Sequence, residues 1–297
     1  MENESKIKAL LQLLDDDDNE VWELASNELS QLNIEFLDVL PQMIGELELG
    51  NNAYSRLDEI YNSIKGNFLT HELSKWKSNE SSSLADGIVI ISKLKYPDYT
   101  IHDLNQAIDA LRLDAWLEFH YDLTSFEKVK ILNYILFQLH GFKGNEEDFL
   151  NPNNSYINKV LETKKGNPIS LSIIYILVAQ RLNVPVYGVN LPKHFIMAYV
   201  EDDETETITG FGDKQAISET AKGKVQFYIN AYNGGGVFNE QQLLKSIKDM
   251  NLEFSENFTL PCSSYDIIKR VLKNLYNSYL YQNNPLSLVF SKVIENF

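Results

Sequence analysis

The chain has 297 residues, 44% of them hydrophobic, which suits a globular protein with a sizeable core in one large or two ordinary domains. Acidic residues outnumber basic ones 42 to 26, for a formal net charge of −16, and no window carries the basic stripe that a nucleic-acid partner requires. One cysteine and five scattered histidines exclude an internal disulfide framework and the HExxH or CxxC spacings of a zinc site, so neither a metal nor an organic cofactor is expected.

No apolar run reaches the length of a membrane span, and Met1-Glu-Asn-Glu4 is no signal peptide, so the expectation is a cytoplasmic protein with no membrane partner. Residues 6–14 place Ile7, Leu10, Leu11 and Leu14 at helical spacing. Asp15 to Asp18 form an acidic turn and a ready N-cap; lacking the glycine and distant glutamate of a calcium loop, they read as a solvated turn. A second helix carries Val21, Trp22, Ala25, Leu29 and Leu32 on one face, and residues 34–49 predict a third, interrupted at Pro41. Leu57 to Ile64 is a fourth short helix. Residues 1–66 therefore read as a helical region resembling a HEAT-like hairpin, although no sustained repeat is present.

Residues 67–150 read as a second helical subdomain. Leu69 to Trp76 and Leu84 to Lys93 are helical, separated by a polar loop. Thr100 caps a helix to Leu111, with Asp103 at the capping-box position, and Trp116 and Phe119 continue its apolar face. Thr124-Ser-Phe-Glu127 opens an apolar helix to Leu139, ended by His140-Gly141. Trp22, Trp76 and Trp116 are read as core residues.

Residues 151–252 carry the mixed segment. Residues 145–154 are a polar loop and Tyr156 to Glu162 a short helix. Gly166 permits a tight turn, Asn167 is a good N-cap, and Pro168 suits the first helical position. The helix that follows is apolar nearly all round, so it should be buried on most sides. Val186 to Asn190 is a strand and His194 to Val200 a second, with His194, Ile196, Ala198 and Val200 on one face. Glu201 to Glu204 is a hairpin or excursion, Phe227 to Asn230 a further strand, Gly234 to Gly236 a turn, and Glu240 to Met250 a helix. Residues 253–297 predict a TPR-like helical pair, Ser264 to Leu280 and Pro285 to Ile294.

Four motifs in this stretch carry a resemblance: Lys165-Gly-Asn-Pro-Ile-Ser-Leu171 at the helix start, Arg181-Leu-Asn-Val-Pro185 at its end, Gly188-Val-Asn-Leu-Pro-Lys-His-Phe195, and Ile229-Asn-Ala-Tyr-Asn-Gly-Gly235. Together they resemble the transglutaminase-like superfamily in its bacterial SirB-type branch, over roughly residues 84–250. The resemblance implies an α+β fold with a papain/transglutaminase-like core, one central helix on an antiparallel sheet, between all-helical extensions. It also implies a catalytic Cys at the helix start, where the helix N-terminus lowers the thiol pKa, with a His and an Asp on successive strands.

The chain departs from that pattern at two of three positions. Pro168 and Ser170 occupy the nucleophile region and Asn230 stands where the Asp would be; only His194 matches. Ser170, His194 and Asn230 are thus the vestigial-triad candidates, with Tyr156, Asn167, Pro168, Pro192 and Asn233 as cleft or binding candidates. Ser170 in a first helical turn suits either a nucleophile or a cap for a free backbone N–H. Asn230 suits either a partner of His194 or a strand terminator. Cys262 follows His194 in the chain, the wrong order for the family nucleophile, and is read as unreactive. Three functions from different classes follow. The first is a non-catalytic protein binding a peptide or protein partner through its cleft and helical flanks. The second is a serine-variant hydrolase or acyltransferase on amide or peptide substrates. The third is a structural or regulatory protein with a closed cleft.

Overall fold

A computed structural model describes residues 2–201, 223–251 and 253–297. Its N-terminal bundle comprises α1 (Glu2–Leu13), α2 (Asn19–Ser30), α3 (Phe36–Gly45) and the first half of α4 (Asn51–Ser78). Asp18 caps α2 by accepting from the N–H of Glu20, and Asp15 holds the start of α4 by accepting from the N–H groups of Gly50 and Ala53. Ile7, Leu11, Leu14, Leu29, Leu40 and the α4 residues Leu57, Ile60 and Ile64 form one separate core.

α4 corrects the sequence reading. The two short helices expected at 57–64 and 69–76 are one 28-residue helix, and the boundary at residue 66 falls inside it. Gly66 in a helix costs about 1 kcal/mol relative to Ala, but burial on both sides of it outweighs that cost. The core still divides at this point: Leu69, Leu73 and Trp76 belong to the main core, not the N-terminal one. Pro41 likewise lies within α3 rather than breaking it. Trp22 is half-buried under the guanidinium of Arg56, 4.1 Å from its ring centre, and Trp116 is 56% exposed, so only Trp76 of the three tryptophans is a core residue.

The middle of the chain is α5 (Leu84–Lys93), α6 (Ile101–Glu118), α7 (Ser125–Asn133) with a π-helical extension Tyr134–Leu139, β1 (Lys143–Gly144), α8 (Ile157–Thr163), β2 (Lys165–Gly166) and α9 (Pro168–Arg181). Capping boxes open α5 (Ser83/Asp86), α6 (Thr100/Asp103), α7 (Thr124/Glu127) and α9 (Asn167/Ser170). Within the expected 145–154 loop, Pro152–Asn154 forms a 3-10 turn, and Asn154 is buried with its amide donating to the carbonyls of Asp148 and Phe149.

The sheet is β3 (Val186–Leu191), β4 (His194–Glu201), β5 (Lys224–Asn230) and β6 (Gly236–Phe238), antiparallel throughout and in that spatial order. Of the excursion expected at Glu201–Glu204, Glu201 ends β4 and the rest lies outside the described residues. α10 (Glu240–Asp249), α11 (Ser264–Tyr281) and α12 (Leu286–Asn296) complete the fold. The architecture is thus mixed α+β, mostly helical. α9, buried from Ile169 to Ala179, packs with Phe195, Met197, Tyr199 and Ile229 of one sheet face. The other face, with Tyr187, Val189, Leu191, Ile196, Ala198, Val200 and Tyr228, is covered by Leu243 and Ile247 of α10. A strand apolar on both faces matches a sheet buried on both sides.

Because the C-terminal half of α4 belongs to the main core, Leu73→Ala should lower stability by about 2–5 kcal/mol, measured by urea denaturation. A loss within experimental error would mean that this half of α4 does not hold the main core.

Candidate functional site

The start of α9 is where the superfamily resemblance puts a nucleophile, and the polar side chains of Asn167 and Ser170 there are engaged. The Ser170 N–H donates to Asn167 Oδ1 at 3.0 Å, and Ser170 Oγ accepts from the Asn167 N–H at 3.0 Å. The same hydroxyl donates to the Asn167 carbonyl at 3.2 Å, and Asn167 Nδ2 donates to Ser155 Oγ at 2.8 Å. Both residues are buried. Gly166 is required just before them, since a Cβ there would stand 2.6 Å from Ser170 Oγ. Pro168 takes the first helical position, where the missing N–H costs nothing.

His194 lies elsewhere. It opens β4 after a two-residue turn, Pro192 then Lys193 at φ 64°, the pattern of a type II turn, and it is exposed. Cross-strand partners share a face. Asn190 pairs with Phe195, and Leu191 pairs with His194. Phe195 packs in the core that holds α9, whereas Leu191 packs in the core on the α10 side. Strand alternation therefore puts His194 with Ile196, Ala198 and Val200, as the sequence predicts, but this is the face turned away from α9. Arg270 of α11 holds the hairpin end by donating to Asn190 Oδ1 and the Leu191 carbonyl, each at 3.1 Å.

Asn230 ends β5 and caps the 3-10 turn Ala231–Asn233, its Oδ1 accepting from the N–H groups of Tyr232 and Asn233. Among the described residues, no hydrogen bond joins any two of Ser170, His194 and Asn230. The triad geometry is not assembled. A serine nucleophile needs its hydroxyl proton aimed at a base; here it goes to a backbone carbonyl.

The cleft candidates also sort differently. Tyr156 is fully buried, its hydroxyl meeting the Tyr279 hydroxyl at 3.0 Å, and with Tyr279 it lines the smaller of two open grooves on the helical side, whereas Asn167 is interior. Pro192 and Asn233 lie in turns at the sheet ends. The sequence reading missed a clamp on the Asn230 turn. Asn133, the last residue of α7, donates to the Gly235 carbonyl at 2.8 Å, and the Tyr232 ring lies where a Cβ on Gly144 would stand 2.5 Å from it. Gly235 has φ 77° and no room for a Cβ beside Asn133, so the Gly-Gly pair carried the signal.

Among the described residues, no cluster of three or more His, Cys, Asp or Glu side chains is placed to hold a metal ion. Nor is any helix there long and apolar enough to cross a membrane. Cys262 is half-buried, and desolvation, with the Asp266 carboxylate nearby, pushes its thiol well above the ordinary range. Two open grooves lie on the helical side. One of about 1750 Å³ runs between Gln31–Glu35, α4 and α12; one of about 490 Å³ includes Tyr61, Lys65, Lys95 and Tyr279.

Two consequences are measurable. Asn167→Ala leaves the buried Ser170 N–H without its acceptor and Ser155 Oγ without its donor, and should cost about 1–3 kcal/mol, while the exposed His194→Ala should stay within about 0.5 kcal/mol, both by chemical denaturation. Equal costs would contradict these placements. A thiol whose pKa is raised on folding carries less thiolate than in the unfolded chain. Iodoacetamide should therefore alkylate folded Cys262 at least about tenfold more slowly than urea-unfolded chain near pH 8.

Comparison with known proteins adds a lineage to this geometry. A family model described as the transglutaminase-like superfamily matches residues 102–273, reaching further at both ends than the expected 151–252 core. A protein of Xylella fastidiosa strain 9a5c described as "UPF0162 protein" is 28% identical over 69% of this chain and 68% of its own length. Its counterpart in strain Temecula1 is 28% identical over 68% of this chain and 66% of its own length. "F-box only protein 21" of Mus musculus is 40% identical over 31% of this chain, a segment that spans only 15% of the mouse protein. No solved structure matches the chain.

Proposed function

The chain belongs to the transglutaminase-like superfamily, and on that premise we propose that it is a non-catalytic member that binds a peptide or protein partner. The observation that carries this reading is the capping box at α9. Ser170, in the nucleophile region, spends its hydroxyl on both backbone groups of Asn167. A helix N-terminus favours a thiolate, but an alcohol is far harder to ionise and needs an aligned base. His194 is turned to the opposite sheet face. The papain-like core serves in this reading as a scaffold, and recognition moves from the family cleft to the helical flanks.

The serine-hydrolase alternative requires Ser170 to leave its cap and His194 to change faces. A one-residue register shift of β4 would move every buried side chain of that strand to the wrong side. The closed-cleft alternative shares the packed helix start with the favoured reading and differs only in having no partner. The open grooves beside α4 and the exposed apolar side chains of α6 favour a binding role over it.

Treatment of the full chain with a fluorophosphonate should leave Ser170 unlabelled, and no amide hydrolysis or transamidation should be detected with peptide and primary-amine substrates. Labelling at Ser170 that disappears in His194→Ala would overturn the non-catalytic reading.

A further inference from the structure

α6 has two apolar faces and only one core. Leu104, Ile108, Leu111 and Ala115 are buried against the main core. Leu113, Trp116 and Leu117, spaced i, i+3, i+4, are 48%, 56% and 68% exposed. At about 100° per residue the two sets lie on opposite sides of the helix. Tyr121, in the turn just beyond the helix end, is 95% exposed as well. A helix apolar on both sides is ordinarily covered on both. Single exposed apolar residues need no explanation, but a tryptophan flanked by two leucines in one stripe is the composition of an interaction surface.

Charge indicates what would cover it. Along the body of α6 the carboxylates have partners: Asp109 pairs with Arg112 and Arg181, and Asp114 hydrogen-bonds the His140 ring at 2.8 Å. The end of the helix is not matched. α6 has no basic residue in its last turn, where its free carbonyls carry the negative end of the helix dipole. Glu118 and Asp122 add two carboxylates there, neither in an ion pair among the described residues. The stripe therefore ends at a helix terminus with no basic residue in its last turn, with Glu118 on the other side of that turn and Asp122 just beyond it.

We propose that this face of α6 docks an amphipathic helical segment of a partner protein, apolar towards Leu113, Trp116 and Leu117 and bearing lysine or arginine where it passes the C-terminal end of α6. The inference rests on the binding reading above and names the chemistry of the partner. A second copy of the chain is the poorer occupant. A stripe about two turns long falls well short of the roughly 800 Å² per partner that a stable dimer buries, and each copy carries a net charge of −16. A short helix laid along a groove or stripe is held by a few spaced anchors instead.

The test uses the full chain and a displayed library of helical peptides with apolar residues at i, i+3, i+4 and i+7 and randomised flanks. Selected peptides should be basic at one end, bind Trp116→Ser at least about tenfold more weakly, bind Glu118→Lys several-fold more weakly, and lose affinity as salt rises. Trp116→Ser should keep the wild-type melting temperature and circular dichroism, because its side chain is outside the core. Selected peptides that bind Trp116→Ser as tightly as wild type would overturn the inference while leaving partner binding intact. A library yielding no binder would overturn it too, as would Trp116-dependent dimerisation in light scattering, which would make a second copy the occupant. Failure of the non-catalytic reading would appear separately, as labelling at Ser170.

Discussion

The mutual capping of Asn167 and Ser170 is the constraint around which the centre of this protein is built. The first turn of any helix has backbone N–H groups without intrahelical partners. When the helix start is exposed, water satisfies them. Here the start of α9 is buried, and a buried donor left unpaired costs about 1–3 kcal/mol. Asn167 and Ser170 resolve this reciprocally, Ser155 holds the Asn167 amide, and Gly166 makes the approach sterically possible. The residues that would otherwise be free for chemistry are the ones this burial commits to structure.

From that anchored helix the rest follows in layers. α9 covers one face of a four-stranded antiparallel sheet and α10 the other. Both faces being closed, the alternation along β4 determines which side each residue serves, and His194 shares the α10-side parity. α4 then ties the N-terminal bundle to this body, its first half in one core and its second half in the other. Outside these layers the surface offers grooves along α4 and an apolar stripe on α6.

Much of the fold was legible because it depends on residues a few positions apart. The boxes at Thr100/Asp103 and Thr124/Glu127, the N-cap at Asn167 and the proline at the start of α9 are all local signals. The candidate site was legible only in part. Asn167 as an N-cap and Ser170 as an occupant of the first turn could be read, whereas the reciprocal bond that engages the Ser170 hydroxyl is set by the rotamer that Ser170 takes in the folded chain. Trp116 shows the opposite limit. Its spacing from Leu113 and Leu117 is plain in the sequence, but periodicity reports that a stripe exists and not which of two stripes faces the core.

Resemblance to a family implied the antiparallel sheet and the departure from a Cys–His–Asp site. The sequence by itself determined the capped starts of α6, α7 and α9, the positions of β3, β4 and the end of β5, and the acidic character. Each of these is a property of residue type or of spacing within a turn or two. Only the tertiary structure decided that α4 is one helix, that Tyr156 and Asn167 are buried, that His194 turns from α9, and that Leu113, Trp116 and Leu117 face solvent. Those outcomes are set by packing between segments tens of residues apart. Burial there outweighs a local cost such as Gly66 in a helix, and sheet parity assigns faces that local spacing does not carry.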